Sequence, residues 1–190
     1  MEKYLPYDLP LQAQIDFLTG ELSPCGEFYE RHLRQLAGQF ADPQAAAAIL
    51  ASEDRLLYEV RTRAFITSLS DLTLAVVRIY PGKVGDEYHF TKGHAHLLLE
   101  EPELDLCLSG QGCLLLENGE GDFEAHWWTP GSVSHLPPGY AHRVANTGNE
   151  PLIYAAIYRL SAGHDYERVA RQGFSRRVIE RDGQPVLLEP

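Results

Sequence analysis

From about residue 57 onward, apolar and polar residues alternate over short stretches. The segment "LTLAVVRIY" (72–80) is β-branched and largely apolar. "YHFT", "GHAHLLLE", "ELDLCLSG", "CLLLEN", "FEAHWW", "VSHLP", "HRVANT" and "LIYAAIYRL" follow at short spacing. Glycine-rich breaks, "SGQG", "NGEG", "TPG" and "NTGNEP", divide several of them. Many short strands with regular turn signals predict a β-sandwich or barrel. Residues 1–56 read differently. "GEFYERHLRQLAGQF" and "DPQAAAAILAS" are rich in helix formers, and Asp42 before Pro43 makes an N-cap and first-turn pair. A helical and looped N-terminal arm is therefore expected ahead of the barrel. The tail predicts a short helix from Tyr166 to Arg171 and then a hairpin turning at Asp182–Gly183. The expected organisation is one domain over 1–190, with the arm at 1–56, the barrel at 57–160 and a C-terminal extension at 161–190.

Length and composition narrow the class. A chain of 190 residues supports one full-sized core, and 44% hydrophobic with 23% charged residues is ordinary for a globular protein. No apolar run approaches the ~20 residues of a membrane helix. The opening "MEKYLPYDLPLQAQIDFLTG" lacks the basic start and apolar stretch of a signal peptide, so a cytoplasmic location is expected. Cys25, Cys107 and Cys113 are too few and scattered for a disulfide framework, and the last two lie in apolar runs. The net charge of −11, with no basic stripe, argues against nucleic acid. It also means that a phosphorylated ligand would need its own local cations and N–H donors.

The stretch "TKGHAHLLLEEPELDLCLSG" (91–110) concentrates candidate chemistry. In a strand, residues two apart share a face, so His94 and His96 point the same way. If the strand starting at Glu103 pairs antiparallel with theirs, its carboxylate arrives beside both. His142, after the Pro-Pro-Gly turn of "PPGYAH", is a fourth candidate. Three imidazoles and a carboxylate suit a divalent transition metal with open positions, Fe(II), Mn(II), Ni(II) or Zn(II), and not Ca²⁺. Among the other histidines, His89 faces inward or sits at the surface, His126 reads as packing, and His32 as a solvated helix residue.

Glu103 to Gly110 fits E-x6-G. Gly131, Pro137, Gly139, His142 and Asn146 fit G-x5-P-x-G-x2-H-x3-N. The chain thereby resembles the cupins, which implies an all-β, double-sheeted, jelly-roll-like barrel with a metal in its mouth. Asn146 would tie a turn through its side chain. The long gap between His96 and Glu103, with "YPGKVGDEYHFTKGHAH", "PPGYAHRVANTGNEPLIYAAIY" and "AGHDYERVARQGFSRRVIE", is similar to the cupin-type glucose-6-phosphate isomerases over about 73–183.

That resemblance implies a homodimeric, metal-dependent and often iron-containing enzyme that interconverts glucose 6-phosphate and fructose 6-phosphate. It implies one metal per subunit on His94, His96, Glu103 and His142, Fe(II) first. A metal would stabilise a cis-enediolate as a Lewis acid, with Glu103 as base, or assist a hydride shift. It implies phosphate contacts from Thr91 and Gly93, and places Tyr158, His164 and Tyr166 near the substrate. His164 would serve ring opening or sugar orientation. The two tyrosines alternatively pack with satisfied hydroxyls. Lys92 alternates away from Thr91 and reads equally as a surface lysine.

Two positions depart from the family pattern. Asp105 stands where a tyrosine is expected near the substrate and, sharing a face with Glu103, should point inward and raise the pKa of Glu103. Val77 replaces an expected hydroxyl near the phosphate. These keep two alternatives open: a cupin enzyme acting on another sugar phosphate or as an Fe(II) oxygenase, and a non-catalytic sugar-phosphate binder.

Overall fold

The computed structural model of the chain describes residues 11–66 and 70–189. The opening decapeptide of the arm lies outside the described residues. Strands β1 (Gln14–Ile15) and β2 (Leu22–Ser23) form a small ribbon, and β3 (Glu27–His32) leads into a single helical turn, α1 (Leu33–Leu36). Helix α2 (Pro43–Leu50) precedes the long strands β4 (Leu56–Ile66) and β5 (Asp71–Ile79). Short strands β6 (Lys83–Val84) and β7 (Glu87–Tyr88) come next. Then follow β8 (Glu103–Ser109), β9 (Gly112–Glu117), β10 (Phe123–Trp128), β11 (Val133–Leu136), β12 (Ala141–Asn146) and β13 (Leu152–Arg159). Helix α3 (Tyr166–Gln172) and the hairpin β14 (Arg177–Arg181) and β15 (Gln184–Leu188) complete the described chain.

One sheet has six strands in the order β11-β8-β13-β5-β4-β3. Facing it are the sheets β10-β9-β12 and β15-β14-β7-β6. Every ladder among the described residues is antiparallel, as expected of an all-β cupin barrel. The apolar residues that alternate inward from the two layers meet between them, with Leu57, Ile79, Leu114, Trp128, Val144 and Leu152 sealed from solvent. Among the described residues no helix is long and apolar enough to cross a membrane.

Local chemistry explains most boundaries. Asp42 caps α2, its Oδ1 accepting from the N–H groups of Gln44 (3.0 Å) and Ala45 (2.8 Å). Asp182 and Gly183 both take positive φ, 52° and 72°, the pairing a two-residue hairpin turn requires. Asn146 is fully buried. Its Nδ2 donates to the carbonyls of Ile79 (2.8 Å) and Glu150 (2.9 Å), and its Oδ1 accepts from Gly148 N–H (2.9 Å). It therefore ties the end of β12 to the end of β5 and to the 147–150 turn.

Two local expectations are corrected. "GEFYERH" is not helical. It is strand β3, the edge of the six-stranded sheet on β4, because edge pairing outweighs a modest helix propensity. "GHAHLLLE" is not a ladder strand either. Its His94 and Ala95 make single bridges to His142 and Asp165, and the chain turns at 97–100.

Candidate metal centre and substrate pocket

The segment 89–95 lies along β12. Asn146 N–H donates to the His89 carbonyl, and Thr91 N–H to the Val144 carbonyl, each at 2.9 Å. His94 and His142 exchange both backbone bonds, at 3.1 and 2.9 Å. Their rings consequently stand side by side, with centroids 4.2 Å apart. Glu103 comes from the opposite layer. Strand β8 pairs with β11 and β13, not with the histidine segment, so the expected hairpin between them is absent and the two groups meet across the barrel interior. Three of the four expected donors still gather there: ligand atoms of His94, Glu103 and His142 all lie within 4.8 Å of one another.

His96 joins from the side. Its Nε2 is 3.0 Å from Glu103 Oε2, and its Nδ1 is 2.7 Å from the Glu101 carbonyl. A proton on Nδ1 donated to that carbonyl leaves the Nε2 lone pair facing the cluster. The Nε2 atoms of His94 and His142 are sealed from solvent and have no protein partner. Buried polar atoms are normally satisfied, so two such nitrogens aimed at a carboxylate fit a metal ion.

The electrostatics favour neutral rings at His94 and His142, whereas at His96 the Glu103 carboxylate and the Glu101 carbonyl outweigh burial and raise the pKa. Loss of solvent around the rings, aided by neighbouring imidazoles, holds His94 well below the ordinary histidine range, and burial lowers His142 and His164. These are neutral, ligand-competent rings. Burial alone would raise Glu103, but the adjoining imidazoles of His142 and His96 offset it and its pKa is lowered. Asp105, buried beside it, is pushed well above the carboxylate range by burial and by Glu103. The expected coupling thus falls on the other partner: the carboxyl of Asp105 is the one raised, and that of Glu103 is lowered.

Above the cluster opens a pocket. Thr91, Lys92 and Gly93 form one wall. Tyr158 on β13, with His164 and Tyr166 at the start of α3, forms another. His164 lies against His94 (4.3 Å between centroids) and stacks parallel on Tyr166 at 5.7 Å. Every residue expected near the substrate lines this pocket except Asp105, which lies behind the wall. Val77 lines it, beside Val60, Ala75 and Ala156. Lys92 is not a surface lysine: it lines the pocket, with Nζ 4.6 Å from the centre of the Tyr166 ring. Tyr29, Tyr58 and Tyr154 also line it and were not singled out by sequence reasoning. The signal for Tyr29 was the alternation of "EFYERH", which helix propensity obscured.

The remaining histidines sort clearly. His89 is buried, with Nδ1 3.1 Å from the Tyr80 carbonyl and Nε2 without a partner. His126 Nδ1 bonds to Ser134 Oγ at 2.9 Å. His32 precedes α1 as its N-cap, and its Nδ1 meets the Asp54 carbonyl at 3.1 Å.

Comparison with known proteins places this geometry. The family profile described as glucose-6-phosphate isomerase matches residues 30–188. Glucose-6-phosphate isomerase of Pyrococcus abyssi is 42% identical over 185 residues, covering 96% of both chains. That of Pyrococcus furiosus is 40% identical over 183 residues, again 96% of both. That of Thermococcus kodakarensis is 42% identical over 185 residues, 97% of both. Among solved structures, Bacillus subtilis oxalate decarboxylase matches 58% of this chain and 28% of its own, at 21% identity and a TM-score of 0.47. Near-full-length identity of about 40% to several isomerases leaves one assignment: the chain belongs to the cupin-type glucose-6-phosphate isomerase family of enzymes.

Proposed function

We propose that this chain interconverts glucose 6-phosphate and fructose 6-phosphate at one divalent transition metal per subunit, held by His94, His96, Glu103 and His142. Fe(II) is placed ahead of Mn(II), Ni(II) and Zn(II). The observation that carries the reading is the pair of sealed, partnerless Nε2 atoms of His94 and His142 facing the Glu103 carboxylate at the base of the pocket.

Isomerisation moves one hydrogen from C2 to C1 and another from O2 to O1. A divalent ion held by His94, His96, Glu103 and His142 would supply Lewis acidity to that transfer. Glu103, ionised, takes the C2 proton of the open-chain aldose and returns it to C1. His164, neutral and beside His94, acts on ring opening and orients the sugar. Tyr158 and Tyr166 hold the sugar hydroxyls, and Thr91 and Gly93 receive the phosphate at the pocket wall. Val60, Ala75, Val77 and Ala156 exclude water from the rest of the cavity.

We further place the enzyme in the cytoplasm as a homodimer. Leu72, Leu104 and Ile157 are 45%, 41% and 40% exposed on the outer face of the six-stranded sheet, where an apolar patch invites a second copy. The test of the activity is turnover of fructose 6-phosphate by metal-stripped protein resupplied in turn with each ion. Activity restored by metal and lost by about 10³-fold or more in Glu103→Gln supports the reading. Stoichiometric metal without turnover refutes it.

A further inference from the structure

A sugar phosphate brings a dianion into a chain of net charge −11. Among the described residues, Lys92 is the one Lys or Arg that lines the pocket. A second cation lies one layer behind the wall. Arg143 is 5% exposed, its guanidinium carbon 4.2 Å from the centre of the Phe90 ring and 4.6 Å from that of Phe174. Its Nη2 donates to the Lys92 carbonyl at 2.9 Å and to Gln39 Oε1. Its Nε has no partner. No carboxylate among the described residues forms an ion pair with it, and Glu87 is engaged by Arg177 at 2.9 Å. A buried charge with no carboxylate in direct contact is costly; two aromatic faces, and Glu87 acting from beyond ion-pair distance, offset only part of that cost.

The peptide that Arg143 holds belongs to the phosphate wall. Gly93 has φ of +76°, and a Cβ there would sit 2.8 Å from the Phe174 ring and 3.0 Å from the His142 carbonyl. Lys92 N–H donates to the Tyr58 hydroxyl at 3.3 Å. In a trans peptide, C=O and N–H point in opposite directions. With the Lys92 carbonyl drawn back to Arg143, the Gly93 N–H on the same peptide points away from it. A charged donor on the carbonyl also polarises that N–H.

We propose that Arg143 is a positioning residue for the substrate phosphate: it fixes the Lys92–Gly93 peptide with its N–H available to the anion, and its unpaired buried charge offsets the acidity of the chain at that wall. The inference rests on the sugar-phosphate reading of the pocket, and its test separates the two. In metal-loaded full-length protein, kcat and KM for fructose 6-phosphate are measured beside the Kd of inorganic phosphate by titration calorimetry. The variants are Arg143→Gln and Gln39→Glu. The second is nearly isosteric and places a carboxylate on the guanidinium, cancelling its charge without removing it.

Both are expected to raise KM and the phosphate Kd by about tenfold, with kcat within about threefold and metal content unchanged, as for loss of one charge-assisted contact. Arg143→Lys recovers part of the loss. A lowered melting temperature with KM and phosphate Kd within about twofold of the parent makes Arg143 merely structural and overturns the proposal. If Arg143→Gln does not fold, Gln39→Glu decides alone by the same criterion. Phosphate binding that weakens in Gln39→Glu, in a parent that does not turn over fructose 6-phosphate, retires the isomerase reading and keeps this one. A parent that does not bind phosphate at all overturns it.

Discussion

Replacing His89 with Asn tests how a buried imidazole shapes stability against pH. His89 donates from Nδ1 to the Tyr80 carbonyl, and its Nε2 is sealed without an acceptor. The ring lies so close to Gly82 that a Cβ there would come within 2.5 Å of it. Protonation would place a second N–H where nothing accepts it, and burial accordingly lowers the pKa from 6.5 to about 4. The sign follows from proton binding. Between these values the unfolded chain carries a proton that the folded chain does not, so stability falls as the pH falls through 6.5, and the loss levels off below about 4. The shift corresponds to about 3 kcal/mol in full, and to about 2 kcal/mol between about pH 7 and about pH 5. Asn keeps a donor for the Tyr80 carbonyl and cannot titrate. Urea unfolding of both proteins at the two pH values, at one protein concentration, gives the comparison. The parent should lose about 2 kcal/mol more than His89→Asn on acidification. Any constant packing penalty of the variant cancels in that difference. Losses equal to within about 0.5 kcal/mol would refute the reasoning, because the depressed pKa would then have no thermodynamic counterpart.

Asn146→Ala removes three hydrogen bonds, one of them to the buried carbonyl of Ile79. About 3 kcal/mol of stability should be lost, read as a shift in the urea midpoint with little change in slope. Asp71 receives Ser161 N–H and Arg159 Nε, each at 2.8 Å, and its carboxyl is held well below the usual range by Ser161 first and Arg159 second. A depressed carboxylate adds stability above its unfolded pKa and loses it in acid. Asp71→Asn should therefore be the less stable protein near neutrality in thermal unfolding, with the gap closing as the pH falls below about 4.

The barrel was legible because its strands are short, apolar on one side and separated by glycine-rich turns, a local pattern that survives folding. The metal ligands were legible for a different reason: their residue types and spacing are unusual enough to stand alone. How they meet was not. The two-residue rule placed His94 and His96 on one face, but sequence proximity suggested a hairpin with Glu103, whereas the contact crosses the barrel between layers that no local pattern pairs. Lys92 was ambiguous because strand alternation was applied to a segment that makes only isolated bridges. Arg143 was invisible: nothing nearby in sequence tells an arginine between two phenylalanines from one in water. The raised pKa of Asp105 depends likewise on which carboxylate the histidines reach, a question of long-range geometry.

The mutual backbone pairing of His94 with His142, and the seating of Glu103 on β8 between β11 and β13, anchor these three donors independently. The connection from Leu97 to Glu100 therefore sets none of the distances among them. Leu97, Leu98 and Leu99 are 64%, 41% and 54% exposed along it. Extra residues inserted there bulge outward instead of prising the donors apart. A change in length there leaves the distances among His94, Glu103 and His142 alone and falls on His96, the fourth donor, whose ring is held across the same turn by the Glu101 carbonyl. For an engineer, the length of this turn is therefore a handle on one donor of the four.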